Sequence, residues 1–325
     1  MLVNVVLTII RGFAMGASDL VPGVSGGTIA LIFGIYERLI SSVSMGSSAL
    51  VALLRRDVAG FRERMGRVEW SFVLPLLAGI LLAIALLAGV LESLLHEEAV
   101  LMASVFVGLV AGSVIVAWRL IRDPRPSHAA IILAVGIIVF LLLGLQGGTS
   151  EETVSQTASP DLWMFFVAGA IAICAMILPG ISGSFLLVVM GMYGAVLSSV
   201  TQRDFLALAV FLAGAVVGLA LFSQLLNRAL ERHHDVMLAG LIGLMAGSLR
   251  VLWPWPDGVD STELGVPDVD VLPALFAGVV AFGLVFVIAT AAQRLEKREE
   301  SAQQRALDAE GGSDGPGSID SADAS

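Results

Sequence analysis

Long apolar runs without a charged residue restrict this chain more than any other feature. The run from Phe72 to Leu91 contains no charge, and neither does the run from Ala129 to Leu145. A transmembrane helix needs about 20 mostly apolar residues. The composition agrees, since 57% of the 325 residues are apolar and 14% are charged, with a mean hydropathy of +0.91. These values exclude an ordinary soluble domain, and the sequence predicts an all-α polytopic membrane protein.

Hydropathy along the chain predicts ten apolar segments, five in each half. In the first half they are 2–17, 22–43, 70–91, 100–118 and 129–145. In the second half they are 162–178, 179–200, 205–227, 236–253 and 271–292.

The two halves are related by duplication. Without gaps, Pro22–Val43 matches Pro179–Val200 at 9 of 22 positions, and Gly108–Trp118 matches Gly243–Trp253 at 7 of 11. The offset falls from 157 to 135 between these blocks, because a 26-residue loop in the first half is replaced by a four-residue loop in the second. We predict a first repeat, a linker, a second repeat and a charged, disordered tail, at residues 1–145, 146–161, 162–295 and 296–325.

The distribution of basic residues predicts the topology. Arginine and lysine concentrate in loops 44–69 and 119–128 and after the last segment, whereas loops 92–99, 146–161 and 254–270 are acidic and contain neither. The positive-inside rule places the basic set and both termini in the cytoplasm. Each half then crosses the membrane an odd number of times, so the second repeat is inverted.

Inverted repeats with broken helices are the usual architecture of secondary transporters. The first segment of each half, at about 16 residues, is short for a full span. We therefore predict two re-entrant helical hairpins and about six full transmembrane helices, in a multi-pass protein of the cytoplasmic membrane.

Two apolar segments are interrupted by nearly the same polar, glycine-rich sequence. The first Pro-Gly motif, residues 19–28, reads DLVPGVSGGT, and the second Pro-Gly motif, residues 176–185, reads MILPGISGSF. Irregular backbone at membrane depth persists only where protein or a water-filled cavity satisfies its polar groups. The alternative is that proline and glycine simply kink these helices or let them pack closely.

An anion cradle explains why the motifs recur at equivalent places. A Pro-Gly break exposes N–H groups at the start of the next half-helix, where they and the helix dipole attract an anion, and hydroxyl groups add further donors. Two inverted copies would direct both half-helices at one central site. The predicted substrate-binding residues of the motifs are Pro22, Gly23, Ser25, Gly26, Gly27, Thr28, Pro179, Gly180, Ser182, Gly183 and Ser184.

Charged residues within the apolar segments need a reason, because each costs about 2.5–3.5 kcal/mol at a helix centre. Arg250 corresponds to Ile115 in the other repeat, so duplication did not supply its charge. We predict that its guanidinium binds phosphate, the alternative being snorkelling to outer headgroups. Asp19, opposite Met176 in the repeat, is predicted to couple proton movement, with helix capping as the alternative.

The other coupling or charge-relay candidates are Glu37, Arg38 and Arg11. Glu37 and Arg38 are adjacent near the predicted cytoplasmic end of their segment, where an interfacial pair is the simpler interpretation. Arg11 is placed where its side chain could snorkel to the inner surface.

The chain resembles the polyprenyl-phosphate transporter family (PopT-type). The resemblance rests on GASDLVPGVSGGTIALIFGIYERLI at 16–40, ILPGISGSFLLVVMGMYG at 177–194 and GSLRVLWPW at 247–255, and it covers about residues 1–300. It implies a flippase that returns undecaprenyl phosphate, or dolichyl phosphate, to the cytoplasmic leaflet, and an architecture related to the DedA-type flippases. The polyprenyl-phosphate lipid and the bilayer are the implied partners.

Other function classes remain open at this point. A transporter or channel for a small soluble anion could use the same cradle. An enzyme such as a lipid phosphatase is disfavoured, because the four histidines fall in predicted loops without metal or catalytic spacing. No cofactor, metal or nucleic acid is expected, and the oligomeric state is not predicted.

Overall fold

Helices make up nearly all of the chain that the structure, a computed structural model, describes. The described residues are 2–20, 24–145, 160–256, 258 and 263–311. Pro22 and Gly23 of the first Pro-Gly motif lie outside them, as do most of the predicted linker and residues 312–325. Within this part the structure contains α-helices and no strand. The helices are α1 (Leu2–Asp19), α2 (Gly26–Ile32), α3 (Tyr36–Leu54), α4 (Val58–Arg67), α5 (Trp70–Glu97), α6 (Ala99–Trp118), α7 (Pro126–Gly144), α8 (Leu162–Ile177), α9 (Gly183–Val189), α10 (Tyr193–Thr201), α11 (Phe205–Ser248) and α12 (Val271–Gly311).

The all-α membrane fold is confirmed. Five of the described helices, α5, α6, α7, α11 and α12, are long and apolar enough to cross a membrane. At 44 residues, α11 is about 66 Å long, twice the roughly 30 Å of a hydrocarbon core. A kink at His233, with φ −137° and ψ 51°, divides it. It therefore contains both predicted segments 205–227 and 236–253.

Several predicted loops are helical instead. The basic stretch 228–235 continues α11 through the kink, and most of loop 44–69 forms the end of α3 and the polar helix α4. A hydropathy profile detects apolar spans and overlooks a short charged helix such as α4, in which no described residue is buried. Asp57 caps α4 by accepting a 2.8 Å hydrogen bond from the Gly60 amide.

The prediction that the four histidines lie in loops is wrong, because the helices α5, α7 and α11 extend beyond the apolar segments that predicted them. All four lie in helices, at helix ends or beside the kink, namely His96, His128, His233 and His234.

The last helix, α12, extends through Gly311, so the predicted tail is helical from residue 296 to that point. Residues up to Phe286 form one compact unit, and Val287 begins a second.

The contact of α1 with α5 recurs as the contact of α8 with α11. An ideal Cβ on Gly12 would lie 2.1 Å from the Leu76 carbonyl oxygen, and one on Gly169 would lie 2.1 Å from the Phe211 carbonyl oxygen. Gly169 lies 157 residues after Gly12, and Phe211 lies 135 residues after Leu76, which are the two offsets of the sequence repeat. The recurrence supports duplication, while the inversion of the second copy stays a prediction.

Glycines in the left-handed region end both short half-helices. Gly34 follows α2 with φ +69°, and its repeat partner Gly191 follows α9 with φ +65°. The Ile35 amide donates to the Ala30 carbonyl at 3.0 Å, and the Met192 amide repeats this bond to Leu187 at 2.9 Å. This is the Schellman pattern.

The predicted segments 22–43 and 179–200 are therefore each two helices. The axes of α9 and α10 differ by 108°. Such a bend fits a broken span or a re-entrant hairpin, and re-entry stays a prediction for both halves.

The core surrounds α2, the element that follows the first Pro-Gly motif. Leu31 and Tyr36 are almost completely buried, together with Val110 of α6 and Met245 of α11. Packing among these helices holds the polar motif inside an apolar frame.

Candidate functional site

The two Pro-Gly motifs, about 150 residues apart in sequence, are in direct contact. The Gly180 amide donates to Thr28 Oγ1 at 3.1 Å, and Ser25 Oγ donates to the Met176 carbonyl at 3.2 Å. Tyr36 adds a third link, because its hydroxyl donates to the Ile177 carbonyl at 3.2 Å. These bonds satisfy irregular backbone that would otherwise be costly at membrane depth.

Thr28→Val is expected to destabilise the protein by about 1–3 kcal/mol, since it leaves the buried Gly180 amide without its acceptor. Valine keeps the shape of threonine, so packing changes little. Thr28→Ser retains the hydroxyl and is the matched control. Thermal unfolding in one detergent measures the difference, and equal melting temperatures for the two variants would contradict the role assigned to this bond.

The first motif already holds a carboxyl group of its own. The Gly26 amide donates to Asp19 Oδ1 at 2.6 Å, the Gly27 amide to Ser25 Oγ at 3.1 Å, and the Thr28 amide to the Ser25 carbonyl at 2.9 Å. Asp19 thus caps α2, as the capping interpretation anticipated. The first three amides of α2 are engaged within the chain.

The second motif has the same geometry without the carboxylate. Met176 takes the place of Asp19, because an ideal Cβ on Gly183 would lie 2.6 Å from Met176 Cγ, just as one on Gly26 would lie 2.6 Å from Asp19 Oδ2. A thioether is a weak acceptor. Ser182 caps α9 instead, accepting from the Phe185 amide at 3.5 Å.

A cavity of about 260 Å³ lies between the motifs. Asp19 and Ser25 line it from the first motif, and Ser182 and Ser184 line it from the second. The hydroxyls of Ser182 and Ser184 are 2.8 Å apart. Apolar side chains, including Phe211, complete the wall. The cavity combines hydroxyl donors and one carboxylate within apolar surroundings.

The structure places Arg250 outside this cavity. Its guanidinium lies 4.8 Å from the centre of the Phe140 ring in α7. An ideal Cβ on Gly144 would approach it to 2.5 Å, so the glycine at the end of α7 makes room for the arginine. Arg11 is buried within α1, two turns before Asp19.

The remaining charged candidates, Glu37 and Arg38, do not line the cavity, and each has a partner elsewhere in the chain. Arg38 forms an ion pair with Glu69 at 2.5 Å and lies 4.2 Å from the Phe72 ring centre. Glu37 contacts His234 Nε2 at 2.6 Å. The two residues thus take part in polar contacts between helices, although they do not pair with each other.

Sequence reasoning overlooked two groups of residues. Tyr36 links the halves, and a signal for it was present, since Tyr36 and Tyr193 are the two tyrosines of the chain and occupy equivalent positions. Beside the kink of α11, Asp235 accepts from the amides of Arg122 and Asp123. Among the described residues, no group of three or more His, Cys, Asp or Glu side chains is arranged to hold a metal ion.

Comparison with known proteins assigns the chain to a family. The model of the undecaprenyl phosphate translocase-like family matches residues 15–265. The chain is 39% identical over 262 residues to a polyprenyl-phosphate transporter of Vibrio cholerae serotype O1, covering 78% of this chain and 79% of that protein. It is 33% identical over 306 residues to a polyprenyl-phosphate transporter of Staphylococcus aureus, covering 90% and 98%. No solved structure matches it. The resemblance carried by the Pro-Gly motifs is therefore confirmed, and this protein belongs to the undecaprenyl phosphate translocase-like family.

Proposed function

We propose that this protein returns a polyprenyl phosphate, undecaprenyl or dolichyl phosphate, from the outer to the cytoplasmic leaflet, with both termini in the cytoplasm. Relatives that cover most of the chain are named polyprenyl-phosphate transporters. Apolar helices long enough to cross a membrane agree with a lipid substrate. Transport, rather than an enzymatic reaction, is the activity of these relatives by name.

One observation carries the assignment of the headgroup site: a polar cavity lies where two broken helices meet among apolar ones. Phosphate oxygens accept hydrogen bonds, and the hydroxyls of Ser182 and Ser184 can donate them. The second motif is better suited to bind phosphate, because the Asp19 carboxyl group already accepts a hydrogen bond from the Gly26 amide of the first motif. The phosphate therefore binds mainly at Ser182 and Ser184, with Ser25 on the opposite wall.

Asp19 lines this cavity, and its carboxyl group provides a physical basis for coupling transport to protons. An ionised carboxylate about 4 Å from a phosphate charge is repelled by about 4 kcal/mol at an effective dielectric of about 20. The loaded cavity is therefore favoured when Asp19 is protonated, and the empty cavity when it is ionised. Binding of the headgroup would then be coupled to binding of a proton, and release of the headgroup to release of that proton.

Arg250 has a different part in this proposal, because it lies outside the cavity beside Phe140. A guanidinium attracts and orients phosphate, so Arg250 guides the headgroup towards the cavity. Glu37 and Arg38 are engaged by His234 and Glu69, so they take no direct part, whereas Arg11 of α1 stays a charge-relay candidate.

Ser184→Ala is expected to weaken binding of undecaprenyl phosphate about tenfold or more, since a hydrogen bond to a charged group contributes about 1.5–3 kcal/mol. Ser182→Ala should act in the same direction but also removes the cap of α9. Ser198→Ala is the matched control, because that hydroxyl donates to the Ala195 carbonyl in its own helix. Binding and transbilayer movement of radiolabelled undecaprenyl phosphate in proteoliposomes provide the measurement.

Wild-type affinity and rates in both Ser184→Ala and Ser182→Ala would refute the headgroup site. The same vesicles also test the alternative of a soluble-anion transporter, which could use the same cavity. Saturable uptake of inorganic phosphate, undiminished by added undecaprenyl phosphate, would favour that alternative.

A further inference from the structure

A second cavity adjoins the cavity of the proposed headgroup site. It has a volume of about 220 Å³ and is lined by α7, by α9 and by the end of α11. Ile181 and Ser182 line both cavities. The two cavities therefore adjoin at this stretch of the second Pro-Gly motif.

The walls of this second cavity are apolar. Leu142 and Leu143 of α7 face Phe185 and Val189 of α9 across it. Ser248 also lines the cavity, but its hydroxyl donates to the Met245 carbonyl at 2.8 Å. Beyond Ser182, the surface offered to a ligand is hydrocarbon.

The cavity is accessible from the side that faces lipid. Leu142 is 57% exposed on α7, a helix apolar enough to span the membrane. In a bilayer, exposed apolar residues of such a helix contact hydrocarbon chains. A ligand could thus leave the cavity sideways into the membrane without exposing apolar surface to water.

We propose that this groove between α7 and α9 binds the head-proximal part of the substrate's isoprenoid chain; the inference rests on the proposed headgroup site. A ligand that occupies both cavities is polar at one end and apolar at the other, with the junction at Ser182. Ligand pockets commonly measure about 300–1,000 Å³, so 220 Å³ holds a short stretch of chain. The rest of the chain remains in the bilayer throughout transport.

This arrangement explains how a phosphate on a long chain can be selected over free phosphate. The headgroup contacts are common to both, whereas burial of apolar surface, worth about 25 cal/mol per Å², is available to the lipid alone. The groove is thus the part of the site that recognises a lipid.

Leu142→Trp tests the groove, with Leu141→Trp as the matched control. The two residues are adjacent on α7 and almost equally exposed, at 57% and 58%, but of the two only Leu142 lines the groove. Tryptophan at position 142 should lower transport of undecaprenyl phosphate in proteoliposomes about tenfold, the size of effect that misfit in an apolar pocket produces. Tryptophan at position 141 should leave the rate near that of the wild type.

A competition experiment gives a second readout that does not depend on one variant. Geranyl phosphate, with two isoprene units, should inhibit transport more strongly than inorganic phosphate. That advantage should shrink in Leu142→Trp and persist in Leu141→Trp. Partitioning of geranyl phosphate into the membrane is common to both variants and cancels in this comparison.

The outcomes separate the groove from the headgroup site. Equal transport by the two tryptophan variants, with an unchanged advantage of geranyl phosphate in both, would overturn the groove even if Ser184→Ala weakens binding. If Ser184→Ala has no effect while Leu142→Trp does, the headgroup site is wrong and the apolar groove binds the chain without it.

Discussion

Asp19→Asn is expected to lower proton-driven transport of undecaprenyl phosphate by about a hundredfold or more while leaving the protein folded. Asparagine keeps an oxygen acceptor for the Gly26 amide, which Asp19 now binds at 2.6 Å, so the cap of α2 is retained. The substitution removes the titrating charge and with it the repulsion of about 4 kcal/mol that favours release of the phosphate. Binding should be at least as tight as in the wild type.

Proteoliposomes with an imposed pH gradient and radiolabelled lipid measure the rate, and binding is measured separately in detergent. Asp204→Asn is the control, because Asp204 caps α11 through the Ala207 amide at 3.1 Å and does not line the cavity. Full dependence on the pH gradient in Asp19→Asn would show that Asp19 is a structural cap alone.

Gly79→Ala should have the largest effect on stability, a loss of about 3 kcal/mol or more. An ideal Cβ at this position would lie 2.1 Å from the Ile9 carbonyl oxygen and 2.7 Å from the Phe13 amide nitrogen. Both neighbours are backbone atoms of α1, so no side chain can rotate away and the helices must separate. Gly89→Ala is the matched control in the same helix, since its Cβ would meet nothing within 4 Å.

The repeat extends this prediction to the second half. Gly214, 135 residues after Gly79, would place a Cβ 1.9 Å from the Phe166 carbonyl oxygen of α8. Gly214→Ala should therefore lower the thermal unfolding temperature about as much as Gly79→Ala, and Gly89→Ala should not lower it. If Gly79→Ala is as stable as Gly89→Ala, the close helix contact does not contribute as described.

The sequence did not show where a helix continues between two apolar segments. Residues 228–235 of α11 contain no Pro or Gly that would mark the kink at His233, and their charged residues give this stretch the composition of a loop. α4 illustrates the same point, because a helix without a buried face leaves no apolar periodicity to detect. Composition locates membrane spans; it does not show where a helix continues between them.

The sequence by itself determined that the chain spans a membrane, that its halves are duplicated and that two Pro-Gly motifs occupy equivalent places. These conclusions depend on local composition and internal identity, which need no knowledge of packing. The tertiary structure alone decided which side chains share the cavity. It showed that the Asp19 carboxylate binds the Gly26 amide within the first motif, that Ser182 and Ser184 line the same cavity as Asp19, and that Arg250 lies beside Phe140 instead. Side-chain direction depends on how helices distant in sequence pack against each other, and no run of residues encodes that by itself.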